Sequence, residues 1–224
     1  MIIIFDLDDT LYPELTYVHS GFRAVAKAAT ARFGGDPKQA FALMLDSLDK
    51  SGRGRQFNDL AAGLGVSGKA AVQWMVKIYH HHIPDIVLPA SSDKVLHALD
   101  SNPLYLVTDG HKVVQSRKIS ALNLWHRFQR CYLTNQYGIR YQKPSPHVFK
   151  MILRRERAKA QDVVYIGDNP LKDFCGIRPL GFRTVRVLQG KHRDTLIPTE
   201  RDAEISIDSL DNLIPVLQEW GHRS

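Results

Sequence analysis

The chain has 224 residues, 44% of them hydrophobic and 24% charged, the balance of a globular protein with room for one large domain or two modest ones. No run of eighteen apolar residues occurs, and the apolar stretch near the start is short and ends in acids, which excludes a membrane-spanning helix and argues against a secretion signal. The net charge of +7 comes from scattered basic residues, with only Arg154-Arg155-Glu156-Arg157 approaching a cluster, so a solvated helix face is expected rather than a nucleic-acid surface.

Two cysteines, Cys131 and Cys175, make no disulfide framework, and a reduced, cytoplasmic chain is expected.

In chain order, Ile2–Phe5 predicts a strand buried on both faces that runs straight into Asp6, Asp8 and Asp9. Residues from about Glu14 to Leu88 then read as wholly helical: Tyr17–Phe33 stopped by Gly34-Gly35, Pro37–Asp49, Phe57–Leu64 and Ser67–His82. Pro84 and Pro89 bracket the return to strands. Leu104–Thr108, Arg130–Leu133, Val163–Ile166, Thr184–Val187 and a weaker Ile205–Ile207 are the further strand candidates. Helical patterns lie between them, at Val113–Leu122 and at Pro146–Ala158 with Ser145 as N-cap. A last helix spans about Ser209–Trp220, kinked or delayed by Pro215. The expected fold class is α/β, a doubly wound parallel sheet carrying an inserted all-helical domain. The sheet domain takes residues 1–13 and 89–224, and the helical insertion residues 14–88.

Chemistry gathers at four strand ends. On an extended backbone Asp6 and Asp8 point to one side, roughly 6.6 Å apart along the chain. Two carboxylates at 4 Å repel by about 4 kcal/mol at an effective dielectric near 20, so a cation is expected between them. The second strand ends in Thr108-Asp109-Gly110, Gln142-Lys143-Pro144 precedes a helix, and the fourth strand runs into Gly167-Asp168-Asn169 with Asp173 beyond. In a parallel sheet these ends share one rim, which then collects carboxylates, a hydroxyl and an ammonium. That set suits phosphoryl transfer to a carboxylate with a divalent metal.

Other candidates read as bland. His80-His81-His82 on a helix point in different directions and are a solvated helix end rather than a metal site. Arg53 and Arg55 in a Gly-flanked loop are expected to be solvent-exposed, Asp9 to be a local cap, and Trp74 and Trp125 to pack in the core. His111 belongs to the loop after the second strand, within reach of a substrate or only leading to the next helix.

The four segments, in this order, resemble the haloacid dehalogenase superfamily, and within it the phosphatases with a helical cap inserted after the first strand. The resemblance implies a Rossmann-like core and roles residue by residue. Asp6 would be the nucleophile, forming an aspartyl-phosphate, and Asp8 the acid and then the base. Thr108 would bind a phosphoryl oxygen, with backbone N–H groups after Asp6 and after Thr108 completing the cradle. The second of these N–H groups belongs to Asp109, whose side chain is read as a turn residue. Lys143 would neutralise nucleophile and phosphoryl charge. Mg²⁺ would be held by Asp6, Asp168 and the backbone carbonyl of Asp8, with Asp173 in support.

Four residues separate Gly138 from Lys143, more than in many relatives, which places Arg140 and Tyr141 near the site mouth. The implied activity is hydrolysis of a small phosphomonoester, a sugar phosphate or nucleoside monophosphate, with the cap keeping proteins out. A phosphomutase and a non-catalytic basic binding protein are the competing readings. A dehalogenase is disfavoured because those relatives lack an acid at the Asp8 position.

Overall fold

The computed structural model describes residues 1–221, and positions 222–224 of the expected sheet domain lie outside the described residues. Its strands are β1 (Ile2–Phe5), β2 (Leu104–Thr108), β3 (Arg130–Leu133), β4 (Val163–Gly167), β5 (Arg183–Val187) and β6 (Ile205–Ile207). Its helices are α1 (Glu14–Phe33), α2 (Pro37–Ser51), α3 (Gln56–Gly63), α4 (Lys69–His81), α5 (Ala90–Ala98), α6 (Lys112–Ala121), α7 (His147–Glu156) and α8 (Leu213–Gly221). The chain divides into two compact units, Met1–Glu14 with Val87–Ser224, and Leu15–Ile86.

In the first unit the strands pair in parallel, in the order β3-β2-β1-β4-β5-β6. This is the doubly wound arrangement, whose strand order reverses between β1 and β4. β1 is central: Ile3 lies opposite Leu104 on one side and Val164 on the other. Ile2 to Phe5 are all buried, so the strand is apolar without alternation. Ile2 and Ile4 share one face with Tyr105, Val107, Val163 and Tyr165, and Val148, Phe149 and Ile152 of α7 cover it. Each such side chain contributes about 1.5–3 kcal/mol on leaving water. Ile3, Phe5, Leu106, Val164 and Ile166 are buried on the other.

The second unit is helical throughout. Val18, Phe22, Val25, Ala26 and Ala29 of α1 bury against Ala40 and Met44 of α2, Leu60 and Ala61 of α3 and Met75 of α4. Gly34, at a φ of 88°, ends α1, its N–H closing on the Thr30 carbonyl at 2.9 Å. Asp36 caps α2 by accepting the N–H of Lys38.

Three local expectations change. Helix α5 was not anticipated: Ala90–Ala98 has only Val95 and Leu96 as large apolar residues, and its N-cap is Pro89. Pro146, not Ser145, is the N-cap of α7, and the Ser145 hydroxyl accepts the His147 N–H at 3.4 Å. Trp125 is 45% exposed rather than in the core, its indole N–H donating to Ser120. Pro215 falls in the first turn of α8, where its missing N–H costs nothing.

Candidate active site

The reversal of strand order places the ends of β1 and β4 side by side, and a crevice at that point is where open α/β sheets take ligands. Asp6 follows β1, its N–H bonded to the Ile166 carbonyl of β4 at 2.8 Å, and Asp168 follows β4. The short turn after Asp168 brings back Asp173, whose Oδ2 accepts the N–H of Asn169 at 2.9 Å. A Cβ on Gly167 would lie 2.5 Å from that oxygen, so the close approach of Asp173 needs the glycine.

Ligand oxygens of Asp6, Asp168 and Asp173 all lie within 4.8 Å of one another, and all three residues are buried. Among the described residues no other three His, Cys, Asp or Glu gather in this way.

Lys143 reaches into this group. Its Nζ lies 2.6 Å from Asp6 Oδ1 and 2.7 Å from Asp173 Oδ1, and it donates to the Tyr165 hydroxyl at 2.9 Å. Burial alone would pull the lysine pKa down, but Asp173 and Asp6 override it and hold the pKa well above its usual value. The longer loop from Gly138 therefore does not keep Lys143 away. Its extra residues form a turn of 3-10 helix at Ile139–Tyr141, and the Tyr141 ring stacks on His147 at 4.1 Å.

Three carboxylates against one ammonium leave two negative charges when all are ionised. Burial, opposed by Lys143, raises the Asp6 pKa from 3.8 to about 7. Burial together with Asp6 and Asp173 raises that of Asp168 to about 9. Hard oxygen donors, buried, converging and short of positive charge, fit a divalent cation of the magnesium type.

At the end of β2 the Thr108 hydroxyl is buried and accepts a hydrogen bond from Gln115 Nε2 at 2.6 Å. Asp109 is a brace. Its Oδ1 accepts the Thr134 hydroxyl at 2.6 Å and the backbone N–H of Lys143 at 3.2 Å, and Lys172 lies 3.4 Å from Oδ2. Burial would raise the Asp109 pKa, but Lys143, Lys172 and these hydrogen bonds hold it below the usual range.

Asp8 is held by a different set of partners. Its Oδ1 accepts from Lys118 Nζ and from the Tyr12 hydroxyl, both at 2.7 Å, and its Oδ2 accepts from Gln115 Nε2 at 2.9 Å. Each of Asp6 and Asp8 thus has a lysine of its own. Sequence reading missed Gln115, Lys118 and Tyr12. A signal existed: Gln115 and Lys118 fall on the buried face of α6 beside Val114 and Ile119, where polar residues are out of place unless something needs them.

The remaining candidates have partners of their own. Asp9, at a φ of 53°, accepts the Glu14 N–H at 2.8 Å and caps the start of α1. Within the helical unit, the His82 ring lies against Tyr17 and its Nδ1 contacts the Tyr79 carbonyl, while Arg55 pairs with Asp59 at 3.8 Å. His111 is exposed at the N-cap of α6.

The family model for haloacid dehalogenase-like hydrolases matches residues 3–187. A glyceraldehyde 3-phosphate phosphatase of Methanocaldococcus jannaschii is 30% identical over 223 residues, covering 96% of each chain. One of Methanopyrus kandleri is 25% identical, with 97% of each covered. Among solved structures, the HAD-hydrolase YfnB of Bacillus subtilis, solved bound to magnesium, superposes with a TM-score of 0.68 at 17% identity, covering 96% of this chain and 97% of its own.

Proposed function

Because the chain belongs to the haloacid dehalogenase-like hydrolases, we propose that it hydrolyses a small phosphomonoester through a phosphorylated Asp6. The observation that carries this reading is the buried group of Asp6, Asp168 and Asp173 closed by Lys143. A nucleophilic carboxylate must be ionised, and Lys143 on Oδ1 favours that form.

Asp6, Asp168 and the Asp8 carbonyl would hold Mg²⁺, with Asp173 in support. When bound, the ion supplies positive charge to the phosphoryl oxygens and to the carboxylates that burial otherwise protonates. Thr108 donates its hydroxyl proton to a phosphoryl oxygen, and the N–H groups after Asp6 and Thr108 serve as fixed donors. In the first step an Asp6 oxygen bonds to phosphorus, the ester bond breaks, and Asp8 gives its proton to the leaving oxygen. In the second, water attacks phosphorus, the bond to Asp6 breaks, the water's proton passes to Asp8, and phosphate leaves.

The relatives named as glyceraldehyde 3-phosphate phosphatases match nearly the full length of the chain, which favours a short sugar phosphate, a triose phosphate first, over a nucleoside monophosphate. They also favour hydrolysis over phosphomutase chemistry. A basic binding protein would have no use for a cation sunk among carboxylates.

The test is turnover of p-nitrophenyl phosphate and of glyceraldehyde 3-phosphate, with Mg²⁺ and with EDTA. Magnesium-dependent release of phosphate is expected, and Asp6→Asn should lower the rate by about 10⁴-fold or more. A folded protein that turns over neither ester, and is instead retained on nucleic acid with a steep salt dependence, would favour the binding protein.

A further inference from the structure

We propose that Gln115 and Lys118 are positioning residues that set the pose of the Asp8 carboxylate and tie it to the Thr108 hydroxyl. The proposal rests on reading Asp8 as the group that passes protons to and from the reacting oxygens.

Both side chains are 2% exposed, on a helix whose other buried residues are Val114 and Ile119. An ammonium and a carboxamide held there forfeit their water and are costly unless the protein replaces it. Three residues apart, they share one face of α6. What replaces the water is Asp8 itself. Lys118 donates to Oδ1 at 2.7 Å, Gln115 donates to Oδ2 at 2.9 Å, and Tyr12 joins Lys118 on Oδ1. Both carboxylate oxygens are therefore gripped, which fixes the rotation of the group as one contact would not. Lys118 is itself held on its other side by Glu14, 3.3 Å away at the start of α1.

The same amide nitrogen of Gln115 reaches Thr108 Oγ1 at 2.6 Å. A hydroxyl has one proton to give, so a Thr108 oxygen that accepts from Gln115 keeps its proton for another acceptor, as a phosphoryl group requires. Gly110 permits this closeness, since a Cβ there would meet the Gln115 side chain at 3.3 Å. One buried amide thus aligns the group that handles protons with the group that holds the phosphate.

With p-nitrophenyl phosphate the first step needs no proton, because nitrophenolate leaves readily. Misplacing Asp8 then slows only the attack of water on phosphorylated Asp6. Lys118→Met and Gln115→Leu should each lower kcat by about 10- to 100-fold, the cost of roughly 1 Å of misplacement. For Lys118→Met, KM should fall in parallel with kcat/KM nearly unchanged, whereas Gln115→Leu, which also releases Thr108, should lower kcat/KM as well. Acid-quenched protein should carry the phosphoryl group, seen by intact mass, as Asp8→Asn should. Lys118→Arg should restore part of kcat and lower the phosphorylated fraction.

If Asp8→Asn traps the phosphorylated protein while Lys118→Met and Gln115→Leu, folded by circular dichroism, do not, positioning by α6 is overturned and the role of Asp8 stands. If Asp8→Asn traps nothing, or the wild-type protein has no turnover, the reading beneath the proposal fails with it. Should Lys118→Met not fold, Gln115→Leu alone decides.

Discussion

Asp6 and Asp8 are two residues apart, yet each ends against its own buried lysine, Lys143 for the first and Lys118 for the second. The first pairing was legible in the sequence, because strand ends with acids, a hydroxyl and a lysine in fixed order announce a shared rim. The second was not, because Lys118 lies in mid-helix, and a periodicity argument records Val113, Val114, Ile119 and Leu122 while passing over the polar residues between them. At this scale Cys131 is also shielded. Burial raises the Cys131 pKa to about 12. Its thiolate is then scarce, and alkylation by iodoacetamide at pH 8 should run about a thousandfold slower than for a free thiol, recovering on unfolding. Peptide mass mapping with and without denaturant checks this.

The elements that carry the site are held by backbone approaches as much as by side chains. A Cβ on Gly176 would lie 1.7 Å from the carbonyl oxygen of Pro144, the residue directly after Lys143. Backbone cannot yield as a flexible side chain can. Gly176→Ala should therefore displace the loop that delivers Lys143, destabilise the fold by about 1–3 kcal/mol in urea unfolding, and lower phosphatase activity beyond what the lost stability explains. The strands and long helices were readable from their apolar patterns. The short α5 and the 3-10 turns at Thr134–Tyr137 and Ile139–Tyr141 were not, since they have too few buried residues for a period to emerge and owe their form to the walls they sit against.

For the whole molecule, the buried carboxylates couple stability to pH and, on the proposed function, to metal. Asp6 and Asp168 have folded pKa values above the unfolded value of 3.8, near 7 and 9. Each contributes stability that is full below the unfolded value and lost as pH rises through the folded one. The metal-free protein should therefore show an unfolding midpoint that falls between about pH 4 and pH 9. At the proposed site Mg²⁺ would bind the ionised carboxylates, so its stabilising effect should grow across the same window. At pH 8 and a hundredfold excess over Kd it should raise the midpoint by about 5–10 °C over EDTA. Asp168→Asn should raise the metal-free midpoint at that pH and abolish the response to magnesium. Differential scanning fluorimetry of both proteins across pH, with and without the ion, measures each of these.

The central place of β1 also orders events in time. Synthesis delivers Ile2–Phe5 before any of the helices of the second unit, yet the strands that flank it begin at Leu104 and Val163. The helical unit closes contacts between consecutive elements and can collapse while the chain is still growing. The apolar strand that bears Asp6 has no such recourse. One of its edges waits for β2, near the middle of the chain, and the other stays unpaired until β4, in the last third, which marks it as a segment on which a chaperone, or a neighbouring unfinished chain, would take hold.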